Sequence, residues 1–150
     1  EGNLNEKGEF VGTYKEGDLV LPMILSRTES SSRPQEPREP FPYRVEEVRF
    51  DNTRSAVTLA GTLTLPGEGS DFPVVVLINE NGPRNRDGEI EGHKPFAVLA
   101  DHLTREGIGV LRVDDRGTGM STGNYMESDL DDFASDTEAA VAYLQELGFK

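Results

Sequence analysis

The chain has 150 residues, with 15 Lys and Arg against 28 Asp and Glu, so its net charge is −13. That length admits one domain plus an appendage, and so acidic a surface repels phosphate backbones and anionic membranes, which excludes general nucleic-acid binding. The absence of Cys rules out disulfides, Cys-ligated zinc and a thiol nucleophile. No apolar run nears the roughly 18 residues of a membrane span. The start at Glu1 is neither Met nor a basic-then-apolar leader, so the sequence predicts a processed or cut N-terminus.

Residues 1–28 read as β structure and as the tail of an N-terminal β domain. Strands are predicted over 9–14 and 19–25, with turn residues at 15–18 between them. Pro22 lacks a ladder donor, which makes the second an edge or bulged strand. Residues 29–42 hold four prolines and three serines, and each proline biases its predecessor toward extended backbone, so this stretch reads as a semi-rigid linker. A Pro-rich docking motif is the rival reading, but the interleaved charges suit solvation.

Residues 43–150 carry a sharper pattern. A strand is predicted over 44–50, with turn chemistry at 51–53. Over 57–65 the alternation is strict, with Val57, Leu59, Gly61, Leu63 and Leu65 on one face, which predicts a half-buried antiparallel pair. The run 74–78, Val-Val-Val-Leu-Ile, suits a strand covered on both faces by helices. A helix over 95–105 follows from Phe96, Leu99, Ala100 and Leu103, with Pro95 in its first turn and Gly107 after its end. A second buried strand spans 108–113. A second helix spans 130–147, with Leu130, Phe133, Ala134, Val141 and Leu144 as its apolar stripe, Asp129 as N-cap and Gly148 as terminator. The order is β-β-β-α-β-α, an α/β class in which the two buried strands run parallel. A further parallel strand is expected after 147, and its absence leaves 74–78 as an open edge, which predicts self-association or a bound partner strand.

Three stretches could carry chemistry. The first, 79–88, follows a buried strand and contains Asn81 and Gly82, where backbone N–H groups can face a developing oxyanion. An ordinary polar turn at Asn-Gly-Pro is the alternative. The second is Asp114-Asp115-Arg116-Gly117-Thr118-Gly119-Met120-Ser121, whose Arg and Asp residues can lock neighbouring loops by charge-assisted hydrogen bonds. A phosphate-binding role through Gly117, Gly119 and Gly123 is disfavoured, because no helix begins at once and two carboxylates adjoin. The third, residues 119–123, matches G-x-S-x-G literally. Several residues part Ser121 from both the preceding strand and the following helix, whereas a nucleophile elbow joins them directly. Of the two imidazoles, His102 falls on the polar flank of a helix and His93 just precedes that helix. Asp129, Asp131, Asp132 and Asp136 lack the spacing of a calcium loop and suit a helix N-terminus, so no metal site is expected.

In combination, Val57 to Pro66, Phe72 to Ile78, Gly82-Pro83, Arg86-Asp87, Gly92 to Phe96 and Ala100 to Ser121 resemble the bacterial α/β-hydrolase family of serine esterases and peptidase-like hydrolases. The D-x-R-G-x-G-x-S motif is matched by Asp114, Arg116, Gly117, Gly119 and Ser121. The resemblance spans residues 41–150 and implies the N-terminal half of an α/β-hydrolase sheet. It implies no cofactor, a small ester or peptide-like substrate, and a periplasmic or secreted location. It places the nucleophilic Ser, the acid and the His beyond residue 150, leaving the chain alone catalytically incomplete. The oxyanion loop falls at Glu80-Asn81-Gly82-Pro83, where the family has Gly-Ser-Gly-Pro. Asn81 then holds the donor position, Glu80 replaces a glycine, and Ser121 belongs to a structural loop. A non-catalytic interaction module working through the open edge is the rival from another class.

Overall fold

The computed structural model describes residues 2–26, 33–69, 71–80 and 82–149. Asn81 and residues 29–32 of the Pro-rich stretch lie outside the described residues. The chain divides into two compact units, 1–33 and 34–150.

The first unit is a three-stranded antiparallel sheet of β1 (Gly2–Leu4), β2 (Phe10–Glu16) and β3 (Leu19–Leu25) in the order β1-β2-β3. β3 is an edge strand, with Pro22 opposite Thr13. The three residues of β1 are too short for a periodicity to reveal, and they pair with 10–12 of β2.

The second unit holds β4 (Arg44–Asn52), β5 (Val57–Leu65), β6 (Val74–Leu77), α1 (Pro95–Arg105), β7 (Gly109–Val113), a 3-10 turn (Tyr125–Glu127) and α2 (Leu130–Glu146). The sheet order is β4-β5-β7-β6. β5 runs antiparallel to β4 and β7, and β6 runs parallel to β7. The helix α1 makes the crossover that such a parallel pair requires.

One face of the sheet packs beneath α2. Leu59, Leu63, Leu65 and Leu111 form its centre with Ala140, Leu144 and Phe149, and Phe50 stacks on Tyr143 with ring centroids 4.9 Å apart. Gly61 lets β5 and β7 lie close, because a Cβ there would meet the Arg112 carbonyl oxygen at 2.4 Å.

Three sequence expectations change here. The strand β5 is buried on both faces rather than half-buried, because it is central in the sheet and its Thr face is covered too. There Thr64 Oγ1 lies 2.7 Å from Thr104 Oγ1 of α1, and Thr62 Oγ1 accepts from Arg86 at 2.9 Å. The strand β6 is only partly covered, with Ile78 just past its end 63% exposed, because it forms the edge of the described sheet. Finally, α2 buries Ser135, Ala140 and Leu144, while Leu130, Ala134 and Val141 are exposed. Its apolar stripe is wider than its contact with the sheet, and Leu130 and Val141 line hollows beside β6.

Leu63 is fully buried at the centre of this core. Leu63→Ala is expected to cost about 2–5 kcal/mol, read as a lower urea midpoint by circular dichroism. A shift below about 0.5 kcal/mol would show that the site is not packed as described.

Candidate active site

The parallel strands β6 and β7 release their carboxyl ends side by side into two loops, 78–94 and 114–129. Such a crevice is where open α/β sheets bind ligands. The two carboxylates that follow β7 hold both loops in place.

Asp114, 2% exposed, is the more buried of the two. Its Oδ1 accepts the Arg86 backbone N–H at 2.8 Å and Arg86 Nε at 3.1 Å, and its Oδ2 accepts Arg86 Nη2 at 2.7 Å. Oδ2 also accepts the Met120 N–H at 2.9 Å, from its own loop. Burial opposes the carboxylate charge, but the hydrogen bonds from Arg86 and Met120 outweigh it, and the Asp114 pKa is lowered. Arg86 then continues to Glu47 of β4 and Thr62 of β5. Gly119 is required because a Cβ would sit 2.4 Å from Asp114 Oδ2, and its φ is +55°.

Asp115 grips the first loop one step further on. Its Oδ2 accepts the Arg84 N–H at 2.9 Å and its Oδ1 accepts from the Asn79 amide at 3.0 Å. Burial, with the nearby Asp136 and Asp114 charges, raises its pKa despite these bonds.

Arg116 turns the other way, toward α2. Its guanidinium donates to both oxygens of Asp136 at 2.7 and 2.8 Å, to the Asp132 carbonyl at 2.8 Å and to Ser128 Oγ at 3.2 Å. Asp132 closes a capping box with Asp129 at the start of α2. The acidic cluster is thus a capped helix start paired with a buried arginine, and Asp131 is exposed.

Ser121 does not present a free hydroxyl. Its Oγ donates to the Asp114 carbonyl at 2.7 Å and accepts the Ala60 N–H at 2.9 Å. It therefore stitches the loop to β5, and neither imidazole is among its partners in the described residues. His93 and His102 are both exposed. Gly117 shares that loop, with its N–H donated to the Thr122 carbonyl at 3.0 Å. Gly82 has φ +89° and donates its N–H to Tyr125 Oη at 3.0 Å.

A cavity of about 480 Å³ opens where the strands end, lined among others by Asn79, Glu80, Asp115, Tyr125, Phe133 and Asp136. The sequence assigned no partner to Arg86, Asp87 or Arg112, and it drew no attention to Tyr125. Arg112 pairs with Asp87, and an arginine inside a buried strand was the available signal for that pair. Nothing in the local sequence ties Tyr125 to Gly82, 43 residues away.

No family model matches the chain. Over 54 residues, 36% of its length, it is 41% identical to Esterase EstD of Thermotoga maritima, and the match covers 13% of that protein. The structure of the Pyrococcus furiosus esterase Pf2001 superposes with a TM-score of 0.55 at 25% identity, over 81% of this chain and 40% of that one. Est1E from Butyrivibrio proteoclasticus, solved with ferulic acid bound, superposes with a TM-score of 0.54 at 22% identity, over 68% of this chain and 38% of that one.

Acid should loosen this unit. Asp114 has a lowered pKa, as does Asp101, held by a hydrogen bond from Arg105, and Asp132, held by the Asp129 N–H. The folded state therefore binds fewer protons than the unfolded one at these groups. Their stabilisation is complete above the ordinary carboxylate range near about 4 and is lost as pH falls through the lowered folded values. Asp115, with a raised pKa, acts in the opposite sense, since acid relieves its penalty. The urea midpoint is expected to drop between about pH 5 and about pH 3, with a shallower drop in Asp114→Asn, and an unchanged slope in that variant would contradict the assignment.

The chain spans 40% or less of the length of each of these relatives, and its likeness, in sequence over 54 residues and in a mixed α/β fold over 68–81% of its length, is to esterases.

Proposed function

We propose that this chain is the N-terminal half of an α/β-hydrolase sheet in a serine esterase, contributing the wall of the cleft that receives the oxyanion. The nucleophilic Ser, its His and the acid lie beyond residue 150, and the chain alone is catalytically incomplete. The observation that carries this reading is the state of Ser121. Its hydroxyl is spent between a backbone carbonyl and a backbone N–H, while the 79–88 loop is clamped at the carboxyl end of a parallel strand pair. Similarity to esterases several times longer than the matched stretch supports the same division of labour.

The reaction is acyl transfer. The Ser oxygen attacks the carbonyl carbon of an ester or amide as His takes its proton. The carbonyl oxygen becomes an oxyanion in the tetrahedral intermediate, and fixed backbone donors stabilise it where it forms. The leaving group departs with the proton from His, and water then hydrolyses the acyl-enzyme by the same steps. The backbone N–H of Asn81 supplies one donor at this loop, and Gly82 supplies the freedom to turn after it. Rigidity is what makes such a donor useful, and Asp114 and Asp115 supply it through Arg86 and Arg84. The exposed Glu80 sets a carboxylate beside this site, which favours a neutral or cationic substrate over an anionic one. Substrates are small molecules, and the enzyme works in the periplasm or outside the cell.

A second reading draws on the position of β6. It is the last strand in the described sheet, with Val75 exposed in it and Ile78 exposed just past its end. An uncovered apolar edge of this kind recruits another strand, so an interaction module would use it. Light scattering separates the two. The module predicts dimers of the 150-residue chain that Val75→Lys dissolves, and a monomer at all concentrations would remove it.

The esterase reading predicts no turnover of 4-nitrophenyl acetate by the 150-residue chain above the uncatalysed rate, and clear turnover by the longer protein. Ser121→Ala in the longer protein should lower the melting temperature, by the loss of about 1–3 kcal/mol for two buried hydrogen bonds, yet leave kcat within about twofold. Hydrolysis by the 150-residue chain that disappears in Ser121→Ala would overturn it.

A further inference from the structure

We infer that Tyr125 is a positioning residue for the oxyanion loop, holding it at the Gly82 N–H. The inference rests on the esterase reading above and goes beyond it by giving the 114–129 loop a task in the reaction. The direct observation is the 3.0 Å hydrogen bond from the Gly82 N–H to Tyr125 Oη. A glycine at φ +89° has no side chain to restrict it, so its N–H needs an external partner to hold one orientation.

Tyr125 is itself held firmly enough to serve. Its ring packs on Phe133 of α2, centroids 4.8 Å apart, and Arg116 lies over the Phe133 ring at 5.8 Å. Its backbone sits in a 3-10 turn capped by Asn124, which accepts the Met126 N–H at 3.1 Å. Ser128 Oγ ties the far end of that turn back to the Asn124 carbonyl at 2.7 Å and receives a bond from Arg116. The loop folds tightly enough that a Cβ on Gly117 would lie 3.1 Å from the Tyr125 nitrogen. The arginine and glycines of the D-x-R-G-x-G-x-S stretch thus bring a phenol oxygen to the Gly82 N–H of the oxyanion loop. Asp115 and Asp114 hold the loop at residues 84 and 86, and Tyr125 holds it at residue 82. A phenol oxygen that accepts one hydrogen bond keeps its proton to donate, and Tyr125 lines the cavity together with Asn79 and Glu80.

Positioning of this kind acts on the transition state more than on substrate binding, so it should appear in kcat rather than KM. The test uses the longer protein with 4-nitrophenyl acetate, and compares Tyr125→Phe, which removes only Oη, with Phe133→Leu, which disturbs the ring packing and keeps the hydroxyl. Amide hydrogen exchange of the 79–88 peptide reads the clamp independently of activity. The expected result for Tyr125→Phe is a kcat lower by about tenfold to a hundredfold, KM within about twofold, and faster exchange confined to this peptide. Phe133→Leu should lower the melting temperature more and kcat less. Unchanged kcat in Tyr125→Phe, unchanged exchange, or an equal kcat loss in Phe133→Leu would overturn the inference. A wild-type protein with no hydrolytic activity would instead sink the esterase reading, and this inference with it. Should Tyr125→Phe fail to fold, a thermal melt would show it, and the hydroxyl would then be a folding element and the inference wrong.

Discussion

The buried carboxylate of Asp114 is the constraint on which the second unit's architecture depends. It sits at the end of β7, nearly out of solvent, and is occupied by Arg86 on one side and by the Met120 N–H on the other. Removing a charge from water costs several kcal/mol, and the cost is recovered only with close, complete hydrogen bonding. Asp114 has that bonding, and it comes from two loops, the one after β6 and the one after β7. Asp115 and Tyr125 join the same two loops again, through Arg84, Asn79 and Gly82. Arg86 widens the arrangement to β4 and β5 through Glu47 and Thr62. The result is a crevice with one fixed wall, built from charge pairing rather than from apolar packing.

This explains why polar residues occupy so much of the interior. Arg112, Arg116, Asp114, Ser121, Thr62 and Thr64 are all buried. Each guanidinium meets a carboxylate, and each hydroxyl meets another hydroxyl, a guanidinium or the backbone. Breaking one member leaves a buried partner unsatisfied, which costs more than the intact bond contributes. Such a network specifies geometry, which is what the proposed oxyanion site needs. The apolar core lies under α2, on the face of β5 opposite Thr62 and Thr64.

Much of the fold was readable because it follows periodicity. Alternation over 57–65 gave β5, the unbroken apolar run gave β6, and the 3.6-residue spacing with Pro95 and Gly107 gave α1. Asp129 was readable as the N-cap of α2, while the reciprocal bond from Asp132 that completes a capping box was not. What escaped was set by tertiary neighbours. The threonines of β5 looked solvent-facing because their partners, Thr104 and Arg86, lie 40 and 24 residues away. The stripe of α2 looked like a buried face because periodicity cannot say how far a sheet extends beneath a helix. The G-x-S-x-G match was judged by its distance from strand and helix, a local property. The Tyr125–Gly82 bond has no local signature, since neither residue carries a pattern that names the other.

The central claim is that this chain holds the anion-receiving side of an ester-cleaving site, with Ser121 fastening a loop and the attacking hydroxyl located elsewhere. Labelling the longer protein with a fluorophosphonate, followed by peptide mapping, tests it most directly, because only an activated serine forms the phosphonyl adduct. The account predicts one labelled serine C-terminal to residue 150 and an unmodified peptide around Ser121. An adduct on Ser121 would contradict it.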